Sequence, residues 1–105
     1  MERPELSVSV EHAPSEVIVS LAGEIDLSTA PRLSNAVNEL LADAPPRVVL
    51  DMAGVTFCDS QGLGTLVVLS RKASLAHSCL VLTNVGDFLL RVLDITGLRP
   101  ALMIN

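Results

Sequence analysis

Over residues 48–69 the apolar pattern of the chain changes period. Val48, Val49 and Leu50 form a short apolar run with strand propensity. A polar turn follows, Asp59, Ser60, Gln61, Gly62, Leu63 and Gly64, bearing one hydroxyl and one carboxylate. From Leu63 the apolar residues Leu66, Val67 and Leu69 continue at roughly helical spacing. Strand, turn, helix is how an α/β domain presents a functional loop. Asp59 and Ser60 are both good helix N-cap types. A hydroxyl at that point sits beside unpaired backbone N–H groups and the positive end of a helix dipole.

The rest of the chain supplies matching units. Residues 6–11 alternate, with Leu6, Val8 and Val10 on one face and Ser7, Ser9 and Glu11 on the other, which predicts a half-exposed strand. Residues 12–15 are a turn, and residues 16–22 a second strand close behind, so the two predict an antiparallel hairpin. Gly23, Glu24, Ile25 and Asp26 end that strand. Residues 27–31 have helix-start chemistry, a hydroxyl cap candidate and then Pro31 in the first turn. Leu33, Val37, Leu40 and Leu41 share one face of the helix that follows, and Pro45 and Pro46 stop it.

Residues 47–52 are apolar on both faces, as a central parallel strand should be. A second helix is expected over residues 60–76, a strand over 79–83, and a third helix over 87–96. Gly97 is its C-terminal stop. A last short strand is expected over 101–104. The order β-β-α-β-α-β-α-β predicts one α/β domain over residues 1–105, with a mostly parallel sheet and an N-terminal antiparallel hairpin.

Composition narrows the function. At 105 residues the chain suits one compact domain. Its aromatic share is 2%, Phe57 and Phe88 alone, so the core must be aliphatic and base-stacking platforms are lacking. The formal charge of −5, from twelve acids against seven bases, argues against a phosphate-backbone binder. No nucleic-acid partner is therefore expected. An acidic protein more naturally meets a basic protein surface. Cys58 and Cys79 form no CxxC pair and no metal-spaced cluster, and both are expected to be buried free thiols of a reducing compartment. No signal-peptide pattern opens the chain and no apolar run approaches the roughly 20 residues of a membrane span. A complete cytoplasmic protein with no membrane partner is the expectation.

The stretch VVLDMAGVTFCDSQGLGTL, residues 48–66, resembles the central motif of the STAS domains, the anti-sigma factor antagonists of bacteria. Gly23-Glu24-Ile25-Asp26 looks like that family's first loop motif, and Ile95-Thr96-Gly97-Leu98 like the end of its third helix. The likeness covers nearly the whole chain, and the serine turn is its specific part. The resemblance implies that Ser60 is a phosphorylation site. It implies that the unphosphorylated form binds an anti-sigma factor that is also a serine kinase, freeing a sigma factor. Phosphorylation ends binding, and a PP2C-like phosphatase restores it. ATP and Mg²⁺ would belong to the kinase, so no cofactor is expected here. Gln61 departs from many relatives, which carry a second Ser there. Ser60 is thus the only hydroxyl between Asp59 and Gly62. The alternative is a ligand-sensing or lipid-transfer-associated STAS module that is never phosphorylated.

Each candidate residue has a plainer reading. Ser60 alone would be a helix cap. In a parallel sheet the segments after successive strands emerge at one edge, so residues 23–26 and 59–64 should be neighbours. Glu24, Asp26 and Asp59 near one serine could bind a divalent ion, or could cap helices and stay hydrated. The second is preferred because no histidine joins them. Glu24, Asp26, Asp59, Ser60, Gln61, Gly62 and Gly64 are the partner-binding candidates by resemblance. A Ser/His/Asp hydrolase lacks the G-x-S-x-G elbow. His77 should lie about 25 Å from Ser60, at the far end of the helix. Gly62-x-Gly64 matches neither dinucleotide fingerprint nor P-loop. No enzymatic activity is expected. The second helix is apolar around more than one stripe. Either it is deeply packed, or Val68 or Leu69 faces a partner.

Overall fold

The computed structural model describes residues 5–105. Strand β1 (Leu6–His12) runs antiparallel to β2 (Val17–Ile25), in register from Leu6↔Gly23 to His12↔Val17. Helix α1 (Ala30–Leu41) leads to β3 (Val48–Cys58), and α2 (Ser60–Leu75) to β4 (Leu80–Thr83). Helix α3 (Asp87–Thr96), a 3₁₀ turn (Arg99–Ala101) and β5 (Met103–Ile104) close the chain. The sheet order is β1-β2-β3-β4-β5, parallel from β2 onward.

That order decides where the helices go. Each crossover moves one strand along in the same direction, and right-handed crossovers then place every helix on one face. Leu33, Val37 and Leu41 of α1, Leu63, Leu66, Leu69 and Ala73 of α2, and Leu89 and Leu93 of α3 share one core cluster. Facing them are Val19, Leu21, Leu50, Met52, Leu80 and Leu82 of the sheet. The result is two layers, with principal extents of 35 × 35 × 19 Å. Val49 and Val81, paired across β3 and β4, alternate to the opposite face. Their central place between flanking strands keeps them buried there too. Both phenylalanines are exposed, and the core is aliphatic.

The element order is as expected, and the element ends differ. Strand β2 runs on through residues 23–25, past its expected end at residue 22, and β3 runs to Cys58 instead of residue 52. Ala22 to Ile25 pair with Gly54 to Cys58, with one register shift just before Ala22 and one between Gly23 and Glu24. The parallel ladder thus carries residues of low strand propensity, Gly23 and Gly54 among them. The last strand is only Met103–Ile104, because the 3₁₀ turn takes up Ala101 and the Leu102 N–H donates to the Arg99 carbonyl instead of to a ladder. Cys58 and Cys79 are free but half-buried. Leu69 is 1% exposed and belongs to the core, whereas Val68 is 51% exposed. Gly97 ends α3 in the left-handed conformation, φ 75°.

Candidate functional site

The site is built where β2 and β3 end together. Ile25 and Cys58 are the last paired residues of the two parallel strands. Asp26 and Asp59 therefore leave the sheet side by side, on strands spaced about 4.8 Å apart. The Asp59 N–H donates to the Ile25 carbonyl at 3.1 Å and ties the two exits. The expectation that residues 23–26 and 59–64 meet at one sheet edge thus holds for their exits. The segments themselves are not both loops.

Asp59, with extended backbone, is the N-cap of α2, and its carboxylate accepts the Gly62 N–H at 2.8 Å. This closes the first helical turn at once, so Ser60, Gln61, Gly62 and Gly64 are helix residues. Ser60 is the first of them and is exposed, and the capping role falls to its neighbour. Gln61 is exposed as well. Gly62 is buried against the strand ends. A Cβ there would lie 2.5 Å from the Ile25 carbonyl oxygen, 2.8 Å from Ile25 Cγ2 and 3.0 Å from Cys58 Sγ. A Cβ on Gly64 would meet nothing within 4 Å.

The β2 exit is held by its own network. The Asp26 carboxylate accepts the Ser28 hydroxyl at 2.8 Å, the Ser28 N–H at 2.9 Å and the Thr29 N–H at 3.1 Å. The Asp26 N–H donates to Thr29 Oγ1 at 2.9 Å. The Thr29 hydroxyl donates to the Glu24 carbonyl at 2.8 Å, with the Asp26 carboxylate a longer acceptor at 3.3 Å. Thr29 is the N-cap of α1, yet its side chain does not cap the helix, contrary to the hydroxyl-cap expectation. Among the described residues it is the one buried polar side chain. Glu24 is a half-buried strand residue paired with Phe57. The Ser28 hydroxyl, then the Thr29 and Ser28 N–H groups, hold the Asp26 carboxyl below its ordinary value, against a smaller opposing effect of burial. Burial, with the Asp59 charge beside it, pushes the Cys58 thiol up to about 11.

Chemistry of other kinds finds little here. His12 ends β1 opposite Val17, at the other edge of the sheet, and His77 follows the far end of α2. Neither can reach Ser60. Among the described residues, no group of three or more His, Cys, Asp or Glu is placed to hold a metal ion. No described helix is long and apolar enough to cross a membrane. A cavity of about 80 Å³ opens between the end of β3 and α3, lined by Met52, Val55, Phe57, Cys58, Phe88 and Leu89 among others. Neither the role of Thr29 as the knot of the β2 exit nor the surface position of the phenylalanines is legible in the sequence. The one available signal was that two lone aromatics flank the serine turn and the third helix start.

Residues 8–104 match the family described as "Mlab, STAS domain". The chain is 39% identical over 67 residues to the anti-sigma-F factor antagonist RsfB of Mycobacterium tuberculosis. That match covers 64% of this chain and 55% of RsfB, so it spans about half the relative's length. It is 31% identical over 100 residues to the anti-sigma-B factor antagonist of Bacillus subtilis, covering 95% of this chain and 91% of that protein. Its fold superposes on the crystal structure of an anti-sigma factor antagonist from Mycobacterium paratuberculosis with a TM-score of 0.82. The identity there is 31%, over 94% of this chain and 84% of that one.

Proposed function

We propose, from the premise that this chain belongs to the STAS domain family, that residues 1–105 work as one anti-sigma factor antagonist switched at Ser60. The observation that carries this reading is the exposed Ser60 at the first position of α2, beside an Asp59 already engaged as the cap. The serine hydroxyl is thus reachable and is not needed to start the helix.

The unphosphorylated form binds an anti-sigma factor with serine kinase activity and so releases a sigma factor. Glu24, Asp26, Asp59, Ser60, Gln61, Gly62 and Gly64 make up or shape the contact surface. The kinase brings ATP and Mg²⁺, and this chain is its substrate, not a catalyst. Both act in the cytoplasm, and a PP2C-like phosphatase resets the switch. Phosphorylation adds about −1.5 to −2 charges at Ser60. The fold tolerates them, because the first N–H groups of α2 have no intrahelical acceptor and the helix dipole favours an anion. The interface does not. A dianion beside Asp59 and Asp26 must be desolvated under a partner, and losing a buried complementary contact costs about 2–5 kcal/mol. That is roughly thirtyfold to several-thousandfold in affinity.

The alternative, a ligand-sensing or lipid-associated module, needs a cavity. The one beside Cys58, about 80 Å³, is well below the roughly 300–1,000 Å³ of small-molecule sites, and a second of about 270 Å³, lined by Val67, Ser70, Arg71, Ser74 and Ala101, is an open surface recess that encloses little. The test is a mass shift of one phosphate on protein purified from its own cells, located by fragmentation. It is joined to a binding titration of wild type, Ser60→Ala and Ser60→Asp. Ser60→Ala binds and stays on. Ser60→Asp binds more weakly with little change in melting temperature. Equal binding by Ser60→Asp, or its unfolding, sinks the electrostatic switch.

A further inference from the structure

The two edges of the sheet are unequal. β5 offers only Met103 and Ile104, whereas β1 is seven residues long and pairs on one side alone. Edge strands are ordinarily blunted by proline, lysine, a bulge or brevity. β1 has none of these. Its sequence is LSVSVEH, and its register with β2 runs unbroken from Leu6↔Gly23 to His12↔Val17. Among the described residues, no loop or helix backbone hydrogen-bonds to it.

The phase of the open edge can be read from the hairpin turn. The Ala13 N–H donates to the Glu16 carbonyl at 2.9 Å, and that pair continues the β1–β2 register. Hydrogen-bonded and non-bonded pairs alternate along an antiparallel ladder. Ser7, Ser9 and Glu11 therefore bond to β2, while Leu6, Val8, Val10 and His12 turn their N–H and C=O groups outward. A strand that takes up these groups must present its own at every second residue. A second β1, antiparallel and centred on Ser9, does so over the whole strand. Leu6 then meets His12, Val8 meets Val10, and Ser9 meets Ser9. The valines share the helix face, and Val10, 43% exposed in the single chain, is covered by Val8 of the other copy. The serines share the open face. The one acid of the strand, Glu11, lies opposite Ser7 and not opposite itself, so no like charges are directly apposed.

We infer that β1 is a self-pairing edge, through which two copies of this chain join β1 to β1 about a twofold axis at Ser9 and merge their five-stranded sheets into one. The β2 strands of the two copies then run antiparallel, so the two Ser60 turns lie at opposite ends of the joint sheet. Neither is covered, and self-pairing is independent of the Ser60 switch. One strand pair is a small interface, so the dimer is weak and forms as concentration rises.

The experiment is sedimentation equilibrium of the full chain from about 1 µM to 1 mM, the range of weak association. Wild type passes from monomer to dimer, and Ser60→Asp does the same. Ser9 is exposed, so Ser9→Lys and Ser9→Glu melt within a few degrees of wild type. Each sets like charges across the axis and self-associates several-fold more weakly, and an equal mixture of the two recovers the pairing. Under oxidised glutathione, Ser9→Cys cross-links to itself, because non-bonded antiparallel pairs bring their Cα atoms to about 4.5 Å, within disulfide reach. Ser7→Cys, which faces Glu11, links no faster than wild type with Cys58 and Cys79 alone. A wild type that stays monomeric at the highest concentration overturns the proposal. Cross-linking of Ser7→Cys at the rate of Ser9→Cys overturns it too, since the axis would not then lie at Ser9.

Discussion

Gly62→Ala is the substitution whose cost the structure prescribes most directly. The new methyl would lie 2.5 Å from the Ile25 carbonyl oxygen and 2.8 Å from Ile25 Cγ2. Ordinary contact begins near 3.4 Å, so one side must give by almost an ångström. The carbonyl cannot give freely. It accepts the Asp59 N–H at 3.1 Å, and Ile25 is buried and paired with Cys58. Overpacking of this kind costs about 1–3 kcal/mol. Loosening the Ile25–Asp59 hydrogen bond adds about 0.5–1.5 kcal/mol. Replacing a helical glycine returns at most about 0.5–1 kcal/mol. The net is a loss of roughly 0.5–4 kcal/mol, which in a domain of this size lowers the melting temperature by roughly 2–30 °C. Urea and thermal unfolding of Gly62→Ala and wild type measure it directly. A variant as stable as wild type would mean that the close approach of α2 to the β2 end is not a constraint.

Other consequences follow from the same junction. Asp59→Ala should cost about 0.5–2 kcal/mol through the lost cap on the Gly62 N–H, while Asp59→Asn, an equally good cap, should keep the melting temperature. Equal melts for both variants would remove Asp59 from the helix start. The Asp26 carboxyl is held below its ordinary 3.8, so its contribution to stability is complete above about pH 4 and is lost as pH falls through the lower folded value. Carboxyl NMR titration of the folded protein should give a midpoint under 3.8, and one at or above it contradicts the Ser28 and Thr29 hydrogen bonds. The Cys58 thiol, raised to about 11, should resist iodoacetamide at pH 8 in the folded protein and react freely once unfolded. Rapid alkylation of the native state would show that burial does not protect it.

Much of this protein was legible without a structure, for a local reason. Apolar spacing changes from two to 3.6 within a few residues, so the eight elements and their order, the break at Pro45 and Pro46, and the stop at Gly97 could be read from the chain. The meeting of Asp26 with Asp59 followed too, because parallel strands send their exits to one edge. The ends of β2 and β3 could not be read. Residues 22–25 and 54–58 contain two glycines and polar side chains, and they are strand only because each segment supplies hydrogen-bonding partners to the other, some thirty residues away in sequence. The same holds for the two glycines of the serine turn. Both look like turn residues in the sequence, yet Gly62 is crowded by Ile25 and Gly64 by nothing. Crowding is a property of what the folded chain brings near, and only the tertiary structure assigns it.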